Sequence, residues 1–145
     1  MNKSVIPAIY GSWKLVSLTF TNEKNEKLDL YGQEPLGILT YDKSGYMNAQ
    51  FGNKGRENFE DESLSGGTDV EILSAYKSYM AYFGKFREEE PGKILHEVEG
   101  ALFPNWQGKT EVRYAHIDGN KLTISIPPTL VNNVEISLIA IWTKM

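Results

Sequence analysis

The stretch GILTYDKSGYMNAQF, residues 37–51, limits the possible folds more than any other part of the chain. Two runs of alternating apolar and polar residues flank Lys43-Ser44-Gly45. A glycine at the third position suits the left-handed conformation that a three-residue hairpin loop needs. Closing the runs about that loop puts Leu39, Tyr41, Met47, Ala49 and Phe51 on one face. Thr40, Asp42, Tyr46, Asn48 and Gln50 take the other. A one-residue slip would mix the two sets, so the clean split selects this register. The same pattern recurs along the chain. Strands are expected over 10–20, 85–90, 94–103, 110–117, 121–126 and 135–143, joined by Pro91-Gly92, 104–108, Asp118-Gly119-Asn120 and a longer connector over 127–134. Short strands at this spacing predict an all-β, antiparallel sandwich or barrel.

One segment breaks the strand pattern. Residues 22–27 are a polar turn, and 52–69 are polar, glycine-rich and without period, the signature of a mobile loop that gates an entrance. Thr68-Asp69-Val70-Glu71 then forms a capping box. Ile72, Leu73, Tyr76, Tyr79, Met80 and Phe83 follow at helical spacing, with Gly84 as a stop. An amphipathic helix is therefore expected over 69–83, covering an open end of the barrel as a lid.

Composition removes several function classes. A chain of 145 residues suits a single domain over 1–145 that buries a core without staples. The absence of cysteine excludes disulfides, thiolate metal sites and a thiol nucleophile. A net charge of -4 and a pI of about 5.2 argue against nucleic acid or an anionic membrane as partner. No stretch approaches the ~20 apolar residues of a membrane span. The opening MNKSVIPAIYGSW holds one lysine and no signal-like apolar run, so a cytoplasmic location is expected, and the Asn2-Lys3-Ser4 glycosylation pattern carries no weight there. No GxSxG elbow, phosphate loop or dinucleotide fingerprint is present, and no cofactor is expected. The state expected in solution is a monomer or homodimer.

Alternation also suggests registers for the second half. If apolar sets share a face, His96 lies opposite His116, Val98 opposite Tyr114, and Glu99 faces Arg113 on the outside. The turn at 118–120 then sets His116 opposite Leu122 and Tyr114 opposite Ile124, while the turn at 91–93 sets Glu88 opposite His96. A row Glu88, His96, His116 results, with neighbours ~4.8 Å apart across strands. These are the ligand types of a two-histidine, one-carboxylate metal site, but no metal-binding spacing accompanies them. The favoured reading is hydrogen-bonded wall histidines, with Glu88 setting a tautomer and no metal. A buried His96 beside a carboxylate is also a candidate general acid or base, with Tyr41 and Tyr114 polarising a carbonyl. Glu97 and Glu99 share a face ~6.8 Å apart, a glycosidase-like separation, yet the register points both to water.

The segments GSWKLVSLTF, PLGILTYDKSGYMNAQF, YKSYMAYFGKF, HEVEGALFPNWQGKTEVRY and DGNKLTISIPP, in this order across 11–142, resemble the lipocalin-like domain family. Gly11-Ser12-Trp13 resembles the GxW motif, whose tryptophan closes the narrow end of an eight-stranded up-and-down barrel in lipocalins. The resemblance implies such a barrel, a central cavity, one helix at its mouth and a small hydrophobic ligand. It implies no particular reaction. The secreted members' disulfide is absent, and Lys144 or Arg113 is the candidate partner for the GxW tryptophan in place of their late-strand arginine. The expected cavity wall is Leu39, Tyr41, Met47, Phe51, His96, Val98, Tyr114, His116, Leu122 and Ile124, with Leu102 also inward and Trp106 covering the rim. The leading expectation is a binding protein for a small hydrophobic molecule. Its alternative is a small isomerase, cyclase or dehydratase with His96 as acid/base, assisted by His116 and Glu88. A third possibility is an interaction module whose barrel is filled by its own side chains.

Overall fold

A computed structural model describes residues 3–22 and 24–145. Asn2 of the glycosylation pattern and Glu23 of the 22–27 turn lie outside the described residues. The elements in order are β1 (Gly11–Thr21), β2 (Lys27–Asp29), β3 (Leu36–Tyr41), β4 (Tyr46–Gly52), α1 (Asp69–Lys77), β5 (Tyr79–Glu90), β6 (Lys93–Ala101), a 3-10 turn (Pro104–Trp106), β7 (Thr110–Asp118), β8 (Lys121–Val131) and β9 (Val134–Lys144). Strands β3 to β9 pair antiparallel in sequence order. β1 pairs with β3 on one side and β9 on the other, which closes an eight-stranded barrel. β2 is an extra strand on the far end of β1. Closure leaves the barrel without free edges, and inward residues alternate with outward ones on every strand.

The first hairpin has the register read from its alternation. Tyr41 pairs with Met47 and Leu39 with Ala49, and Gly45 at the loop has φ +92°. Below it the narrow end is plugged by Val5, Ile9 and Trp13, all buried. The Trp13 indole donates to Ile9 O at 2.9 Å, and the Lys144 ammonium sits 4.6 Å from the Trp13 ring centroid. Lys144, rather than Arg113, is thus the cation over this tryptophan.

The helix is shorter than the apolar spacing predicts. The capping box is present, with Glu71 N–H donating to Thr68 Oγ1 at 3.1 Å and Thr68 N–H donating to Glu71 Oε1 at 2.8 Å. The helix nevertheless ends at Lys77, not Phe83, and Tyr79 to Phe83 belong to β5. Here YMAYFGKF satisfies two periods at once. As a strand it turns Met80, Tyr82, Gly84 and Phe86 inward and pairs Phe51 with Met80 and Ala49 with Tyr82. As a helix it would leave the whole edge of β4 unpaired, a larger loss than one apolar stripe gains.

Three registers in the second half also differ from expectation. Phe86, not Glu88, pairs with His96. His96 pairs with Glu111 instead of His116, a displacement of five positions (116 to 111). His116 pairs with Thr123 rather than Leu122. The cause of the second shift lies in Val98, whose N–H and C=O bond Lys109 O and Gly108 N, each at 2.9 Å. The ladder therefore closes well before the expected tip, and 99–107 becomes an excursion that stays with β5 through the bond from Leu102 N to Ala81 O at 2.8 Å. An odd displacement exchanges the faces of a strand. Arg113 and Ala115 are consequently buried, whereas Tyr114 is 43% exposed and His116 is exposed. Likewise the long connector at 127–134 is mostly strand. Pro127-Pro128 occupies a bulge in β8, and Asn132 and Asn133, both at positive φ, make the tight turn into β9.

Candidate functional site

The inward faces of these strands do not fill the barrel. A cavity of about 430 Å³ remains, lined mainly by apolar side chains such as Leu18, Leu39, Phe51, Ile124, Leu138 and Ala140. Its polar lining is sparse. Tyr82, His96, Arg113 and Trp142 are buried, while Tyr31, Lys77 and Asn132 are less enclosed. Lys77 is the last residue of α1, so the helix meets the cavity through its C-terminus. Its apolar side chains do not: Ile72, Leu73 and Tyr76 are 48%, 52% and 42% exposed. No residue of the 52–69 loop lines the cavity. That loop is fastened to the end of α1 by Arg56, which donates to Ala75 O at 3.1 Å and Ser78 Oγ at 3.0 Å.

His96 is 1% exposed and held between two phenols. Tyr41 Oη lies 2.7 Å from its Nε2, and Tyr82 Oη lies 2.9 Å from its Nδ1. Burial, reinforced by the Arg113 charge, holds the imidazole well below its ordinary pKa, so it is neutral. A neutral imidazole has one donor and one acceptor nitrogen. Burial, with Tyr82 nearby, also raises Tyr41 well above its usual range despite Arg113, so Tyr41 keeps its proton. Among the described residues Tyr41 Oη has no hydrogen-bond partner other than His96. Its O–H therefore donates to Nε2, because any other choice strands a buried hydroxyl proton. Nδ1–H then donates to Tyr82, and the Tyr82 hydroxyl proton is left to point into the cavity. Arg113 stands nearby, its guanidinium carbon 6.0 Å from the Tyr82 ring centroid and 5.6 Å from that of Trp106.

The model of the lipocalin-like domain family matches residues 10–145. The chain belongs to the lipocalin-like domain family. A 4'-hydroxy-3'-methoxypropiophenone carrier protein, ppsC, of Aspergillus oryzae is 33% identical over 107 residues, covering 68% of this chain and 96% of that protein. A lipocalin-like barrel with a carrier among its relatives supports a ligand-binding role. Among the described residues no helix is long and apolar enough to cross a membrane.

Within this lipocalin-like barrel the residues singled out by sequence separate into three groups. Leu39, Phe51, His96 and Ile124 line the cavity. Tyr41, Met47, Val98 and Leu122 point inward but belong to the packed core outside it. Tyr114 and His116 face outward, displaced by the register shifts, and Leu102 is 37% exposed on the outer surface. The row Glu88, His96, His116 therefore does not form. Among the described residues no cluster of three or more His, Asp or Glu is placed to hold a metal. Glu88 instead fastens the N-terminal plug, accepting from Ser4 Oγ at 2.5 Å, Val5 N at 2.8 Å and Gly92 N at 3.0 Å. Partial burial opposes its ionisation, but these bonds outweigh it and hold its carboxyl below the usual range. Glu97 and Glu99 do face outward, Glu97 lying 3.6 Å from Arg87, and no Glu99–Arg113 pair exists. Sequence reasoning missed Tyr82, assigned to no site, and Arg113, placed outside. Trp106 is more than a rim cover, since it packs edge-on against Tyr82 at 5.2 Å.

The trapped imidazole has a measurable consequence. The unfolded chain protonates His96 near its ordinary pKa of 6.5, whereas the folded chain does so only at lower pH. Stability is therefore full above that value and falls as pH drops below it, until the folded pKa is reached. The expected slope contribution is up to about 1.4 kcal/mol per pH unit. Urea unfolding between about pH 5 and pH 7 measures it. A His96→Gln variant with an equal slope over that window would show that the imidazole is not the group responsible.

Proposed function

We propose that the protein binds and carries a small hydrophobic molecule bearing a few oxygen atoms, held in the barrel cavity. The observation that carries this reading is the cavity itself. At about 430 Å³ it falls in the range of drug-sized ligand sites, apolar over most of its wall with a few fixed polar groups. The carrier activity of the Aspergillus relative points the same way. An oxygenated aromatic ketone is accordingly the natural first probe. Ala140 is 3% exposed and lines the cavity, so Ala140→Phe adds a ring where the ligand would lie. Quenching of tryptophan fluorescence by 4'-hydroxy-3'-methoxypropiophenone should weaken at least about tenfold in this variant, with an overpacking cost of about 1–3 kcal/mol. Equal affinity in a folded Ala140→Phe protein would place the ligand elsewhere.

Acid–base catalysis by His96 has narrower support. Both ring nitrogens are engaged by tyrosines, so the imidazole reaches a ligand only through the Tyr82 hydroxyl. The network fits orientation of a bound group better than proton transfer. Turnover of any cavity ligand that disappears in Tyr82→Phe while binding persists would reverse that preference.

A further inference from the structure

The charged groups lining the cavity are all of one sign. Its charged residues are Arg113 and Lys77, and no carboxylate lines it, although the chain as a whole carries a net charge of -4. Arg113 is 4% exposed. Its Nη1 donates to Val112 O at 2.9 Å and lies 3.9 Å from Glu111 Oε2, too long for a hydrogen bond. Among the described residues its Nε and Nη2 make no hydrogen bond to the protein. These nitrogens belong to a residue that lines the cavity, so they are open to an acceptor carried by a ligand. Two neutral donors accompany it. The tautomer fixed by Tyr41 leaves the Tyr82 hydroxyl proton free toward the cavity. Among the described residues the Trp142 indole N–H, on another liner, is buried without a hydrogen-bond partner.

We propose that the ligand is a small amphipathic acid, whose carboxylate is received by Arg113 and the Tyr82 hydroxyl while its apolar body fills the rest of the cavity. This rests on the carrier reading above and adds the charge and orientation of the ligand. An anion supplies acceptor oxygens to a wall whose two charges are both positive and whose buried cation has only the Glu111 carboxylate, at 3.9 Å, for a counter-charge. Charge-assisted bonds of this kind are about twice as strong as neutral ones. A ligand with the same body but no charge leaves the guanidinium with only the Val112 carbonyl and the distant Glu111 carboxylate.

The test compares matched probes by calorimetry: 2-naphthylacetate against its methyl ester, and decanoate against decanol. The intact protein should bind each acid at least about tenfold more tightly than its neutral partner. Arg113→Met should erase that preference, and Tyr82→Phe should reduce it. The wild-type comparison needs no variant, so a misfolded Arg113→Met protein does not spare the proposal. Neutral partners that bind as well as the acids would overturn the anion assignment and leave the carrier reading standing. Binding of neither probe in either pair would overturn both.

Discussion

Replacing Trp13 with alanine should cost the fold about 3–5 kcal/mol, the range for truncating a fully buried large aromatic. Trp13 is 1% exposed and lies where three parts of the chain meet. Its indole N–H holds Ile9 O at 2.9 Å, its ring carries the Lys144 ammonium at 4.6 Å, and β1 pairs here with both β3 and β9. Removing the ring opens a void at the closed end, leaves the buried Ile9 carbonyl without its donor and deprives Lys144 of its aromatic face. Trp13→Phe should cost less, since it keeps most of the buried area and loses the hydrogen bond. Urea unfolding of the three proteins orders these contributions. A loss below about 1 kcal/mol in Trp13→Ala would mean that the plug of Val5 and Ile9 closes the barrel without it.

Gly84→Ala should be comparably damaging, by about 3 kcal/mol or more, through a purely steric route. A Cβ at this position would lie 2.0 Å from the Glu97 carbonyl oxygen and 2.9 Å from its carbon. Both atoms are backbone, so no side chain can swing away. Strands β5 and β6 approach closely at this point because the ladder shifts register between Phe83 and Gly84. The neighbouring inward residues are Tyr82 and Phe86, so parting the strands also loosens Tyr82 from His96 and should weaken ligand binding together with stability. Gly55→Ala is the matched control. An added Cβ there has no atom within 4 Å, and its change should stay within about 0.5 kcal/mol. A Gly84→Ala protein as stable as Gly55→Ala would show that the two strands separate at little cost.

The parts of the structure that were legible in the sequence share one property: each is decided by residues close together in the chain. The β3–β4 register follows from alternation about a three-residue loop, and the start of α1 follows from Thr68 and Glu71. The end of α1 was not legible, because residues 79–83 fit a helix and a strand equally well and only β4, already waiting for a partner, separates them. The candidate site divided in the same way. His96 could be placed inward because Val98 and Ile94 alternate with it, and all three are buried.

β7 defeats that logic. In TEVRYAHID the residues that look exposed, Glu111 and Arg113, point inward, and Tyr114 and His116 point out. A cavity that keeps a cation on its wall inverts the polarity that alternation relies on, so the buried arginine is itself what misdirects the pattern. By itself, then, the sequence determined the antiparallel all-β class and the first hairpin, since local period and turn chemistry suffice for these, while the closed barrel and its GxW end were implied by the family resemblance. The tertiary structure alone decided where the helix stops, how far β7 slides along β6, and that Arg113, Tyr82 and His96 share one buried wall. Strand parity depends on where a ladder closes. Here the backbone bonds of Val98 to Gly108 and Lys109 determine that, and neither end of that bridge is marked in the chain.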